Sequence, residues 1–103
     1  MNDLSTMTRD AKSVAEIATP NASRYLQQLC KHFAHKRPVT FDPQSGSIAF
    51  SSGECRLEAR DDALTLSLTA PDAAYLEQLQ DVVARHLVRF AFREDMQIDW
   101  RAA

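Results

Sequence analysis

Residues 54–69 read ECRLEARDDALTLSLT, and this stretch decides the fold. Apolar and polar residues alternate on both sides of Asp61-Asp62, with a leucine at every second position from residue 64 to residue 68. Alternation with a period of two predicts β-strands that bury one face and leave the other in water. The two aspartates are typical of a tight turn, so the stretch predicts an antiparallel hairpin.

Shorter strands and turns extend the sheet on either side of this hairpin. Strands are expected at residues 13–18, 39–41 and 47–50. The stretches 44–46 and 52–53 contain serine and glycine and predict turns. At the other end, residues 96–100 predict a last short strand or a packed tail. Trp100 is expected either to seal the edge of the core or to mark a contact surface.

Two helices are predicted from apolar residues at helical spacing. The first is expected from Pro20 to about Lys36, because Thr19 is a candidate N-cap. Pro38 would end it. Its apolar residues are Ala22, Leu26, Leu29 and Phe33, flanked by Tyr25 and Cys30. The second helix opens with residues 69–72, which resemble a capping box whose first residue is Thr69. Its apolar residues are Leu76, Leu79, Val83, Leu87 and Phe90.

The resulting order of elements is β-α-β-β-β-β-α, followed by a short C-terminal strand. This order predicts an α+β fold, with an antiparallel β-sheet and two helices packed on one of its faces. TATA-binding-protein-like and ferredoxin-like arrangements are both close to it. A chain of 103 residues suits one domain, which is expected at residues 13–103 after a frayed N-terminus at residues 1–12.

Composition argues against several classes of protein. The formal net charge is −2 and the pI is about 5.8, which disfavours an overall electrostatic attraction to nucleic acid. No stretch approaches the ~20 apolar residues of a membrane span, and the polar N-terminus does not resemble a signal peptide. Two cysteines are too few for a disulfide framework. We therefore expect a soluble cytoplasmic protein with reduced thiols and no cofactor.

Two stretches in and around the predicted helices resemble a known family. Residues 24–36 read RYLQQLCKHFAHK, residues 86–94 read HLVRFAFRE, and Trp100 lies just beyond. From Val14 to Trp100 the chain resembles the bacterial family known as domain of unknown function 2218. This resemblance carries over no established activity. Members of the family often lie beside, or are fused to, siderophore-interacting and iron-uptake proteins, so the resemblance implies a loose link to iron or siderophore metabolism.

The first predicted helix carries a concentrated positive charge. Residues 20–37 contain no acid. Their lysines and arginines are Arg24, Lys31, Lys36 and Arg37. Arg24, Lys31 and His35 fall on the helix face opposite the apolar residues. The pattern indicates either a solvated helix face or a surface that binds an anion or an acidic partner. Specific nucleic-acid binding is not expected, because no basic–aromatic stacking motif is present.

Three histidines lie inside the two quoted stretches. Cys30 and His32 project about 160° apart on a helix, so they cannot bind one ion together. His32 and His35 could share a face and are weak candidates for metal ligands. On structural grounds alone, Cys30 is expected at the edge of the core and His35 in solvent, with His32 beside Tyr25. If the two helices pack side by side, His32, His86 and Tyr25 are expected to line a shared pocket.

Common enzyme motifs are missing from the sequence, which has two glycines, no glycine-rich phosphate loop and no nucleophile elbow. The acids of residues 54–62 lie among arginines, which favours surface ion pairs over paired catalytic carboxylates. The sequence therefore predicts a small non-enzymatic accessory or binding domain for a protein partner or an anionic small ligand. One alternative is a metal-handling or catalytic protein that uses His32, His35 and His86. Another is a homodimer that pairs edge strands.

Overall fold

Six strands and two helices form residues 10–103, the part of the chain that the computed structural model describes. The elements are β1 (Ala11–Ala18), α1 (Ala22–Phe33), β2 (Val39–Phe41), β3 (Ser45–Phe50), β4 (Gly53–Arg60), β5 (Ala63–Ala70), α2 (Ala73–Phe90) and β6 (Arg101–Ala102). Residues 1–9, which hold most of the predicted frayed N-terminus, lie outside the described residues. The predicted α+β fold and its order of elements are confirmed.

All neighbouring strands of the sheet pair antiparallel, in the order β2-β3-β4-β5-β1-β6. The strands β2 to β5 follow one another as a meander, because short turns join each strand to the next. The first strand then returns to pair with β5, and β6 pairs with the outer edge of β1. Along the chain, four strands lie between the two helices, whereas a ferredoxin-like domain has two strands between its helices.

Leucines of β5 form the centre of the core. Leu64, Leu66 and Leu68 are each no more than 1% exposed, and both helices pack over this face of the sheet. Leu66 lies opposite Leu57 on β4 and Ala15 on β1, which are also buried. Burying one leucine side chain contributes about 1.5–3 kcal/mol, so the alternation of the β5 sequence fixes which face the helices cover.

The β4–β5 hairpin turns at Asp61-Asp62, as predicted. Asp61 has a φ of 50°, which lies in the left-handed region that aspartate tolerates better than most residues. The turn predicted at residues 44–46 is displaced, because Ser45 and Gly46 belong to β3. Asp42 causes the shift: its Oδ1 accepts hydrogen bonds from the backbone N–H groups of Gln44 and Ser45, both at 2.8 Å.

Gly46 is required by a close approach between α1 and the sheet. A Cβ added at this position would lie 2.8 Å from the Sγ of Cys30 and 3.2 Å from the Cβ of Phe41. Cys30 is fully buried at this contact, so its predicted position at the edge of the core is wrong. The absence of a side chain on β3 lets α1 seat its thiol directly against the strand.

Both helices begin later than predicted. Helix α1 begins at Ala22 and has Asn21 as its N-cap. Thr19, the predicted N-cap, lies outside the helix, and its hydroxyl accepts a hydrogen bond from the Asn21 N–H at 3.1 Å. Helix α2 has Asp72 as its N-cap, whose carboxylate accepts from the Tyr75 N–H at 2.9 Å; Thr69 belongs to β5. At its C-terminal end α1 stops at Phe33, three residues before the predicted Lys36.

The segment between α2 and β6 is a packed tail. Met96, Ile98 and Trp100 are half-buried against the core, and the residues between them are exposed. The strand predicted here begins at Arg101, so Trp100 lies at the edge of the core just before β6. Neither helix within residues 10–103 has the length and apolar character needed to cross a membrane.

Candidate functional site

The two helices lie side by side on the sheet and run in opposite directions. His32, near the C-terminal end of α1, contacts His86 and Phe90 of α2. Tyr25, near the N-terminal end of α1, contacts Glu94, which follows α2. Residues late in α1 therefore face the last turns of α2, and residues early in α1 face the segment that follows α2. This arrangement brings the two family-like stretches of sequence together.

The structure brings His32 and His86 together at the junction of the helices. Their ring centroids are 4.9 Å apart, and the ring of Phe33 lies 4.9 Å from each of them. The Nδ1 of His86 is 2.7 Å from the Val82 carbonyl oxygen. Because a carbonyl oxygen only accepts hydrogen bonds, Nδ1 of His86 is the donor in this contact. Tyr25 does not join this pair, since its hydroxyl is directed to Glu94.

Positive groups surround the histidine pair. Desolvation lowers the pKa of His32, and the coulombic influence of neighbouring basic groups lowers it further. These groups are His86, His35, Arg89 and Lys36, in decreasing order of effect. An imidazole with a lowered pKa is predominantly neutral at pH 7, so His32 can accept a proton or a hydrogen bond there.

The basic residues predicted on α1 are all exposed, and α2 adds further cations beside them. We call this set the basic helical surface; it comprises Arg24, Lys31, His35, Lys36, Arg37, Arg89 and Arg93. Within residues 10–103 the ion pairs are Arg56–Glu54 at 3.7 Å and Arg85–Asp81 at 3.0 Å. Neither pair includes a member of the basic helical surface. The spacing of arginine at positions 85, 89 and 93 was the signal in the sequence for the contribution of α2.

Glu94 forms a polar network at the other end of the helix pair. Its carboxylate accepts hydrogen bonds from the Thr19 hydroxyl at 2.8 Å, the Asn21 side-chain amide at 2.9 Å and the Tyr25 hydroxyl at 2.5 Å. These hydrogen bonds, that of Tyr25 first, lower the pKa of Glu94. Donating to Glu94, together with burial, raises the pKa of Tyr25. The network fixes the segment after α2 to the beginning of α1.

Sequence reasoning missed the role of Glu94. It ends the second quoted stretch, and that place was the single sign of its importance. Its partners lie 69 to 75 residues earlier in the chain, so no local spacing connects them. Tyr25 was predicted to lie beside His32, but its hydroxyl donates to the Glu94 carboxylate.

The donors for a metal ion are dispersed. Within the described residues 10–103, no group of three or more His, Cys, Asp or Glu side chains is placed to hold a metal ion. Cys30 lies in the core and His32 on the surface, as their projection on a helix requires. His35 is exposed on the next turn of the chain. The histidine pair alone offers two nitrogen ligands.

The open face of the sheet is the other large surface. A shallow concavity of about 610 Å³ lies over β2 to β5 and is lined largely by small hydroxyl side chains, including Thr40, Ser47 and Ser67. Arg56 and Glu58 project beside them with opposite charges. This face is close to neutral in character, in contrast to the basic helical surface.

The chain belongs to a family of uncharacterized proteins conserved in bacteria, DUF2218, whose model matches residues 14–101. The resemblance seen in the two quoted stretches is therefore confirmed. A solved NMR structure, that of PA4090 from Pseudomonas aeruginosa, is similar to this chain. The two share 38% sequence identity with a TM-score of 0.75, over 88% of this chain and 95% of that one. No curated protein matches the sequence significantly.

Proposed function

We propose that this protein is a small non-enzymatic binding domain that docks an acidic protein surface on its basic helical surface. The observation that carries the proposal is the separation of charge. The chain has a net charge of −2, yet the two helices and the segments that follow them expose six lysine and arginine side chains, with His35 beside them, that form no ion pair within residues 10–103. Concentrated, unneutralised charge of one sign steers association with a partner of the opposite sign.

The rigidity of this face supports a role in recognition. Buried leucines anchor both helices to the sheet, and the Glu94 network ties the segment after α2 to the start of α1. The exposed cations are thus held on a preorganised platform, which reduces the entropy lost on binding. The open face of the sheet lacks this concentration of charge.

The proposal is tested with a fluorescent peptide of eight aspartate and glutamate residues, measured by anisotropy at low and moderate salt. The double variant Lys31→Glu/Lys36→Glu should raise the Kd about tenfold or more. The double variant Arg56→Glu/Arg60→Glu changes the net charge by the same amount on the sheet face, and should have a clearly smaller effect. Equal effects of the two variants on the Kd would show that binding depends on net charge alone, and would overturn the proposal.

A metal-handling role is the second candidate, favoured by the approach of His32 to His86. The link to iron metabolism that the family resemblance implies makes ferrous, ferric and zinc ions the first to try. Metal content is measured by mass spectrometry after untagged protein is loaded and desalted. About one equivalent of retained metal that disappears in His32→Ala and in His86→Ala would replace the docking proposal with this one. The control is Ala34→Ser, a neighbouring substitution that should retain the metal. An empty protein would leave the docking proposal as it stands.

Homodimer formation also stays a prediction. The strands at the two edges of the sheet are β2, with three residues, and β6, with two. Short edge strands offer few backbone groups for pairing with a second copy. Light scattering coupled to size exclusion separates a monomer of 11.6 kDa from a dimer.

A further inference from the structure

A cleft opens between the beginning of α1 and the end of α2, and its Phe90 also contacts His32 of the histidine pair. Its volume is about 290 Å³. Its lining residues are Arg24, Tyr25, Gln28, Phe90, Phe92 and Arg93. The first three belong to α1, and the last three lie at the end of α2 and just beyond it. Each wall of the cleft therefore contributes one arginine.

The two arginines of the cleft have no carboxylate partner within residues 10–103. Glu94 follows Arg93 directly in the sequence, but its two oxygens accept from Thr19, Asn21 and Tyr25. Glu94 is not among the residues that line the cleft, although its carboxylate accepts a hydrogen bond from the lining residue Tyr25. The cleft keeps two positive charges and lacks an internal anion to neutralise them.

Aromatic side chains stand beside these charges. Phe92 is 75% exposed, the largest exposure among the large apolar side chains of the described residues. The guanidinium carbon of Arg93 lies 5.4 Å from the centre of the Phe92 ring, in a cation–π contact. Phe90 is half-buried and forms part of the lining. An exposed phenyl ring held next to a free guanidinium offers an apolar platform and a cation to the same ligand.

We propose that this cleft binds a small carboxylate with an apolar or aromatic body. Arg24 and Arg93 bind the carboxylate, since guanidinium groups match the two oxygens of a carboxylate in a bidentate geometry. Phe90 and Phe92 pack against the body of the ligand. The volume lies at the lower limit for ligand sites, which restricts the ligand to a small acid or the last residue of a peptide. The inference deepens the proposed function, because Arg24 and Arg93 belong both to the cleft and to the basic helical surface.

The test is a titration of ¹⁵N-labelled protein with phenylacetate, followed by amide chemical shifts. Saturable shifts are expected at residues 24–28 and 90–94. Phenylacetamide removes the charge, and acetate removes the apolar body; each should bind about tenfold more weakly or worse. Shifts that do not saturate, or that are the same with phenylacetamide, would overturn the inference.

Variants locate the binding and separate it from the docking proposal. Arg93→Gln should raise the Kd for phenylacetate about tenfold, and the exposed Arg56→Gln on the sheet should leave it unchanged. The Lys31→Glu/Lys36→Glu variant, which impairs docking of the acidic peptide, should still bind phenylacetate. An unchanged Kd in Arg93→Gln would refute the cleft even if docking on the basic helical surface holds.

The source of the carboxylate is resolved by a second ligand. N-acetyl-alanyl-phenylalanine presents a peptide C-terminus, and its C-terminal amide is the matched control. Tighter binding of the peptide acid than of phenylacetate would assign the cleft to a protein C-terminus, and the reverse would assign it to a free acid. Both outcomes support the carboxylate site, whereas equal binding of the peptide acid and its amide counts against it.

Discussion

Replacing Tyr25 by phenylalanine removes one hydroxyl group and leaves the buried ring in place. That hydroxyl donates to the Glu94 carboxylate at 2.5 Å, from a side chain that is 5% exposed. Hydrogen bonds to charged groups contribute about 1.5–3 kcal/mol. Because Thr19 and Asn21 still donate to Glu94, we expect Tyr25→Phe to lower the free energy of unfolding by about 1.5–2 kcal/mol. For a domain of this size the melting temperature should fall by roughly 6–16 °C.

Urea unfolding at pH 7, followed by the fluorescence of the single tryptophan, measures this loss. Trp100 is half-buried against the core and reports its exposure. The control is Tyr75→Phe, which makes the same chemical change at a side chain that is 45% exposed. We expect that variant to stay within about 0.5 kcal/mol of the wild type. Equal midpoints for the two variants would show that the network contributes nothing to stability.

The stability lost in Tyr25→Phe should also depend on pH. Glu94 has a lowered pKa in the folded protein, so its contribution is complete above its unfolded pKa of about 4.3 and is lost as the pH falls through the folded value. Tyr25 has a raised pKa, so its contribution is complete below about pH 10 and is lost as the pH rises through the folded value. The difference between wild type and Tyr25→Phe should therefore shrink in acid and in strong alkali. A difference that stays constant down to about pH 2 would contradict the assignment to an ionised carboxylate.

Three further variants or measurements probe the fold. Gly46→Ala should lose about 1–3 kcal/mol of stability in urea unfolding, because the added Cβ meets the Cys30 Sγ. Adding Cys30→Ala should restore part of this loss. If it restores none, the strain does not come from the contact with Cys30. Asp72→Ala should cost about 1 kcal/mol through loss of the N-cap of α2, against a smaller cost for Asp81→Ala, which removes an exposed ion pair. Burial raises the pKa of Cys30 to about 11 and that of Cys55 still further, so a thiol reagent such as Ellman's should label neither until urea unfolds the domain. Rapid labelling of the native protein would refute the burial of these thiols.

Local chemistry explains which parts of the fold were predictable. Alternation and turn residues are properties of neighbouring positions, so the hairpin around Asp61 and the buried leucines of β5 followed directly from the sequence. The helix starts were misplaced because two candidate caps compete within a few residues. Thr19 was an acceptable N-cap by type, but its hydroxyl donates to a carboxylate 75 residues away, and Asn21 takes the position instead.

Local sequence also explains which parts of the candidate site could be predicted. The cations of residues 24–37 could be predicted, because they lie close together in the sequence and no acid lies among them. The assembly of Arg24 with Arg93, and of His32 with His86, depends on the direction and register of one helix against the other. Side-chain packing over the sheet sets that register, and it cannot be read from the spacing within either helix.

The separation along the chain between Glu94 and its partners has a consequence for folding kinetics. The hairpins from β2 to β5 join neighbouring segments, whereas the Glu94 contacts close loops of 69 to 75 residues. Closing long loops is costly in entropy, so we expect the hairpins to form before the rate-limiting barrier and the Glu94 contacts after it. Interactions made after the barrier slow unfolding and leave the folding rate nearly unchanged. Glu94 would then determine how long each molecule stays folded, while the leucines of β5 determine how fast it folds.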